Sequence, residues 1–94
     1  MDQPQPRDAV LRTFLDDDGR LRSIPTRHAK RLVVLDHVSQ SFEPGVRYPE
    51  AEVDAVMHRF HPDHNALRRY LVEQGFLERR DGVYWRAGGT VEQA

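Results

Sequence analysis

The chain contains no cysteine, which excludes disulfide cross-links, thiolate metal sites and any thiol nucleophile. It has no run of 18 apolar residues, so no segment reads as a membrane-spanning helix. The N-terminus lacks the basic and apolar regions of a secretory signal, and a cytoplasmic location is the resulting expectation. Neither charge is in surplus: 14 basic residues face 15 acidic ones, for a net charge of -1. Attachment to nucleic acid by bulk positive charge is thereby excluded, and any such binding must rest on a local patch. Catalytic signatures are missing too. No Ser-His-Asp arrangement, paired carboxylates or glycine-rich phosphate loop is recognisable, so the chain does not read as an enzyme and implies no cofactor. What remains is a 94-residue chain with 38% hydrophobic and 31% charged residues, enough for one small core.

Hydrophobic periodicity places four helices in the chain. Val10, Leu11, Phe14 and Leu15 recur at helical spacing within Asp8–Leu15, before Asp16-Asp17-Asp18-Gly19 stops the pattern. Arg20 to Ile24 alternates polar and apolar residues, which predicts a short edge strand or extended segment. Thr26 is positioned to cap a helix over Arg27–Gln40, with Leu32, Leu35, Val38 and Phe42 on one face and Ala29 and Val34 beside it. Its first turns carry Arg27, His28, Lys30 and Arg31, against the helix dipole. That cluster is read either as a phosphate contact or as a solvated face beside Asp36. Phe42-Glu43-Pro44-Gly45 forms a turn, and Val46-Arg47-Tyr48 an extended stretch. Pro49–Phe60 reads as a third helix, with Val53, Val56, Met57 and Phe60 inward and Glu50 and Glu52 at the positive end of the dipole. Pro62 ends it.

The fourth helix spans His64–Gln74, with Asp63 as N-cap and Gly75 at the left-handed position beyond its end. Ala66, Leu67, Tyr70 and Leu71 share its buried face. Two strand-like runs follow, Phe76–Arg79 and Val83–Arg86, joined through Asp81-Gly82, a strong hairpin signal. Of Tyr84 and Trp85, which alternate in facing, one completes the core and the other is partly exposed. The predicted fold is α+β and winged helix-turn-helix-like, about four helices with a C-terminal β-hairpin as the wing. Residues 1–7 read as a disordered tail, 8–86 as the single domain, and 87–94 as a flexible tail.

The candidate binding residues cluster at the end of this unit. Between residues 58 and 86 there are six arginines against four acids, a weak basic patch. Arg59, His64, Asn65, Arg68 and Arg69 would address a DNA groove, with Arg79 and Arg80 on phosphates. Arg86 lies on the same hairpin. The competing reading gives the Arg68-Arg69 pair a structural role, one arginine pairing with Glu52, Asp63 or Glu73. Helical geometry turns Arg69 almost opposite Leu67 and sets Arg68 near the preceding helix, so Arg69 is expected to be the more exposed. His58, His61 and His64 form a spaced series that invites a zinc reading, but Pro62 interrupts the helix and no cysteine assists, so no metal site is assigned.

The string Phe14-Leu15-Asp16, Asp18-Gly19-Arg20-Leu21, Pro25, Lys30-Arg31 and Leu35 resembles a bacterial family known as domain of unknown function 2087. The resemblance continues through Phe42-Glu43-Pro44-Gly45, Tyr48, Glu50, Glu52-Val53, Phe60-His61, Leu67-Arg68-Arg69, Leu71-Val72, Gly75, Leu77, Arg79, Asp81-Gly82 and Tyr84-Trp85-Arg86. Pro49 departs from the usual capping Ser or Thr, Asp54 from the usual Asn, and the turn over residues 61–64 is shorter than in many members. The resemblance implies a setting in bacterial transcription regulation, since such domains stand alone or follow another DNA-binding domain, and it assigns no residue a role. DNA is the expected partner. The alternative is a winged-helix-like module that binds a regulatory protein or senses a small ligand, with Tyr48, His61, Trp85 and the arginines on its surface. A homodimer is also expected, because one module makes few phosphate contacts.

Overall fold

A computed structural model describes residues 7–90. Helix α1 spans Arg7–Phe14, α2 His28–Ser39, α3 Glu50–Phe60 and α4 His64–Glu73. Strand β1 covers Arg47–Pro49, and β2 (Leu77–Arg80) and β3 (Val83–Arg86) form the C-terminal hairpin. The fold is α+β, with four helices among the described residues and an antiparallel sheet in the order β1-β3-β2. Tyr48 lies opposite Tyr84 across one side of β3, and Arg79 lies opposite it across the other. Asp81 and Gly82 both take positive φ, 54° and 79°, as the two-residue hairpin turn requires.

The core is drawn from every helix and from the hairpin. Val34, Leu35 and Val38 of α2, Val53 and Met57 of α3, Leu67 and Leu71 of α4, and Leu77 and Tyr84 of the hairpin are fully enclosed. Phe42 plugs the end beside them, its ring edge-on to Tyr48 at 5.1 Å. The faces expected of α1, α3 and α4 are the buried ones. In α2 the emphasis shifts, with Val34 enclosed and Leu32 half-buried. This helix packs against both α1 and α4, so it buries two flanks rather than one stripe. Of the aromatic pair on β3, Tyr84 enters the core while Trp85 stays partly exposed beneath the Arg47 guanidinium, 4.7 Å from its ring centre.

Several local expectations are corrected. Thr26 does not cap α2: the N-cap is Arg27, with no side-chain capping bond. Arg31 instead donates to the carbonyls of Pro25 and Thr26, at 3.3 and 3.1 Å. The segment over residues 20–24 joins no sheet and forms a single bridge, Leu15 to Leu21. Its work is to close the end of α3. The Leu21 amide donates to the Phe60 carbonyl at 2.7 Å, and the Arg20 guanidinium donates to the Arg59 carbonyl at 2.9 Å, satisfying groups that every helix C-terminus leaves open. Asp16 holds the preceding loop, accepting from the amides of Asp18 and Arg20 at 2.9 Å each. Those amide bonds, the one from Arg20 foremost, hold its carboxyl below the ordinary value.

Asp36, beside the basic cluster of α2, is buried. One of its oxygens accepts from the Arg7 guanidinium at 2.6 Å, and the other from the Thr90 amide at 2.6 Å. Residues 87–90, the start of the expected C-terminal tail, thus run as a strap against α2. Arg86 fastens the strap from the hairpin side, donating to the carbonyls of Gly88 at 3.0 Å, Phe42 at 3.1 Å and Thr90. Arg7, placed in the N-terminal tail by the sequence, is the first residue of α1. The remainder of the two expected tails, residues 1–6 and 91–94, lies outside the described residues.

Candidate nucleic-acid interface

The turn between α3 and α4 is built by three residues. His61 leaves the helix with extended backbone, φ -162°, as a residue before proline prefers. Its Nδ1 accepts the Asp63 amide at 3.0 Å, and the Asp63 carboxylate accepts from the Ala66 amide at 3.2 Å, capping α4 as its sequence position predicts. This capped start fixes how α4 presents its outer face. Leu67 and Leu71 are enclosed, so Asn65, Arg69 and Glu73 must project away from the core.

Arg68 and Arg69 are divided as expected. Arg69 is 62% exposed and its nearest acid is Glu73, one turn on, at 4.0 Å. Arg68 is only 19% exposed and is bound by Asp54 of α3, with Glu50 at 3.8 Å. Both acids lie on the preceding helix, beside which Arg68 was expected, although neither is among Glu52, Asp63 and Glu73, the residues considered as partners for one of the two arginines. Burial works against the Arg68 charge, but the hydrogen bond and charge of Asp54 prevail and hold its pKa above the ordinary value.

A connected set of polar groups underlies the space between α4 and the hairpin. The Tyr84 hydroxyl donates to Glu50 at 3.0 Å, and Arg79 donates to that hydroxyl at 3.5 Å with its guanidinium 5.9 Å from the ring centre. Burial, then the Glu50 hydrogen bond, push the Tyr84 pKa up, against the pull of Arg68 and Arg79. The phenol therefore stays protonated as a donor. The Glu50 amide in turn binds the Gly82 carbonyl at 3.1 Å, pinning the hairpin turn to the start of α3. Above this floor opens a cleft of about 230 Å³, lined by Asn65, Arg68, Arg69 and Glu73 on one side and by Arg79 and Tyr84 on the other.

The cleft gathers four of the seven sequence candidates: Asn65, Arg68, Arg69 and Arg79. Arg80 is exposed at the hairpin turn beside it, and Arg59 is exposed at the end of α3. Among the described residues neither forms an ion pair. His64 faces elsewhere. Its ring meets that of His58 edge-on at 5.6 Å, and its Nδ1 is enclosed without a partner. Among the described residues no three metal-ligating side chains converge. Sequence reasoning missed Glu50 and Tyr84 as the cleft's foundation, and it named Glu73 only as a possible arginine partner. Glu73 alone carried a readable signal, sitting four residues beyond Arg69 on the same face.

A family model described as an uncharacterized protein conserved in bacteria (DUF2087) matches residues 20–86. No curated protein and no solved structure matches the chain.

Proposed function

From the premise that the chain belongs to this bacterial family of uncharacterised proteins, we propose that it is a winged helix-turn-helix-like module that binds duplex DNA in transcription regulation. The observation that carries the reading is the cleft, where Arg69 of α4 and Arg79 of the hairpin face a common space with exposed Asn65 beside them. A guanidinium on an exposed helix suits a base edge in a groove, and one on a flanking hairpin suits the phosphate backbone beside it. The pairing of β1 with β3 also favours this topology, since it anchors the hairpin beside the helix-turn-helix unit. Arg68 belongs to the ion-pair reading, its charge already answered by Asp54. Arg86 serves the strap in the same way.

The module acts in this reading as a binding domain without enzymatic activity or cofactor, in the cytoplasm, and gains affinity as a homodimer. No helix among the described residues is long and apolar enough to cross a membrane. Fluorescence anisotropy with a random duplex at low salt tests the proposal. Binding at about 1 to 100 μM is expected, weakening steeply with salt. Arg80→Ala should weaken it evenly across sequences and lower the salt slope by roughly one. No binding at those concentrations removes the reading.

The rival module, which contacts a regulatory protein instead, has one observation in its favour. Glu73 lies inside the cleft, and Glu78 and Asp81 are exposed on the hairpin, so the basic surface is interrupted. Failure of duplex binding together with a discrete complex recovered from the native host would support it.

A further inference from the structure

Glu73 is a poor neighbour for DNA backbone. A carboxylate in the cleft repels phosphate and offsets the charge of Arg69, so simple backbone neutralisation leaves it unexplained. Its position suggests a different use. Asn65, Arg69 and Glu73 follow one another at steps of four along the exposed face of α4, and each step advances about 6 Å. One such step spans about two base pairs of duplex at 3.4 Å each. The three side chains also have three different hydrogen-bonding characters. An amide can offer a donor and an acceptor to adenine, a guanidinium two donors to guanine, and a carboxylate only acceptors, which suit the exocyclic amine of cytosine.

Resting on the DNA-binding reading above, we infer that Glu73 is a specificity-determining residue that reads a cytosine amine in the major groove and weakens binding to any site lacking it. The unbound geometry fits this role. Arg69 and Glu73 stand 4.0 Å apart, both more than half exposed, and an exposed pair of this kind is worth only tenths of a kcal/mol. The pair therefore keeps the two groups extended and close at little cost, and it separates readily when each meets a base. On a site with a keto oxygen in place of the amine, two acceptors face each other and the carboxylate has no donor but Arg69. Arg69 is then withheld from its guanine. Rejection and recognition thus come from the same two side chains.

The test compares wild type with Glu73→Gln, a change of charge and hydrogen bonding without change of shape at an exposed position. Both are measured by anisotropy on random duplex at low salt, and both are used to select binders from a randomised duplex pool that is then sequenced. Wild type should enrich sites with one fixed cytosine, and Glu73→Gln should lose that preference by about fivefold or more. Random-duplex binding of the variant should tighten about two- to fivefold. Equal affinities, or a wild-type selection with no fixed cytosine, or a cytosine preference that survives in the variant, overturn the inference while DNA binding stands. If neither protein binds any duplex, the function proposed above falls and takes this inference with it.

Discussion

Arg68 and Arg69 differ by one step of about 100° around α4, and that step decides which of them the fold needs. Arg68 lies at the junction with α3, held by Asp54 and near Glu50. Arg68→Ala leaves those carboxylates without their cation, and thermal melts should show a loss of about 1–3 kcal/mol. Arg69→Ala should stay within about 0.5 kcal/mol in the same assay, as exposed substitutions do. Asp36 and His37, adjacent in α2, should contribute to the acid sensitivity of the domain. Burial raises the Asp36 carboxyl, but the Thr90 amide and hydroxyl and the Arg7 guanidinium outweigh it, leaving its pKa below the ordinary 3.8. Its contribution to stability is whole above 3.8 and is lost as pH falls through the lower folded value. For His37, burial and then the charge of Arg7 lower the pKa below 6.5, so the folded chain takes up its proton less readily than the unfolded one. Stability should therefore begin to fall below pH 6.5, before the carboxylates titrate. Melts across pH should show that first decline in wild type and lose it in His37→Gln, whereas Asp36→Asn should lower stability at neutral pH and flatten the decline below 3.8.

Among the elements, α4 was the most legible in the sequence, because its cap Asp63, its apolar period and Gly75 all lie within a dozen or so residues. The hairpin was equally plain from Asp81-Gly82. The segment over residues 20–24 misled, since its alternation looks like a strand. Only Leu21 is enclosed, and its amide is used on α3. The strap was illegible for a related reason: two glycines suggest slack, while the bonds that fix it reach Asp36, 54 residues away. Those glycines are there for close approach. A Cβ on Gly88 would stand 2.7 Å from the Gly75 carbonyl oxygen, and one on Gly89 would stand 2.7 Å from the Ser39 hydroxyl. Gly88→Ala must push backbone from backbone, which should cost about 1–3 kcal/mol in urea melts and speed hydrogen exchange at the Thr90 amide. Unchanged exchange there would mean that the strap contributes nothing to holding the chain end. Half of the candidate cleft was similarly hidden. The sequence marked its arginines and the division between Arg68 and Arg69, but which carboxylate holds Arg68 depended on how α3 lies alongside.

At the scale of the whole molecule, the near-neutral charge is distributed unevenly in function rather than in number. Arg7, Arg20, Arg31, Arg68 and Arg86 are committed to carbonyls or carboxylates within the fold, so the formal count overstates the cations available to a partner. Asp36 has a further consequence. It holds the first and the last described residues of the domain on one carboxylate, so the path from Arg7 to Thr90 is little longer than an arginine side chain and two hydrogen bonds. In connectivity the domain is almost a ring. A linker of about six residues, reaching roughly 20 Å when extended, should join residue 90 to residue 7, with new ends opened in the exposed Pro44-Gly45 turn. The permuted chain should unfold in a single cooperative transition within a few degrees of the parent. A permutant that fails to fold would show that the sequential order of the helices, and not only their packing, is needed to reach the native state.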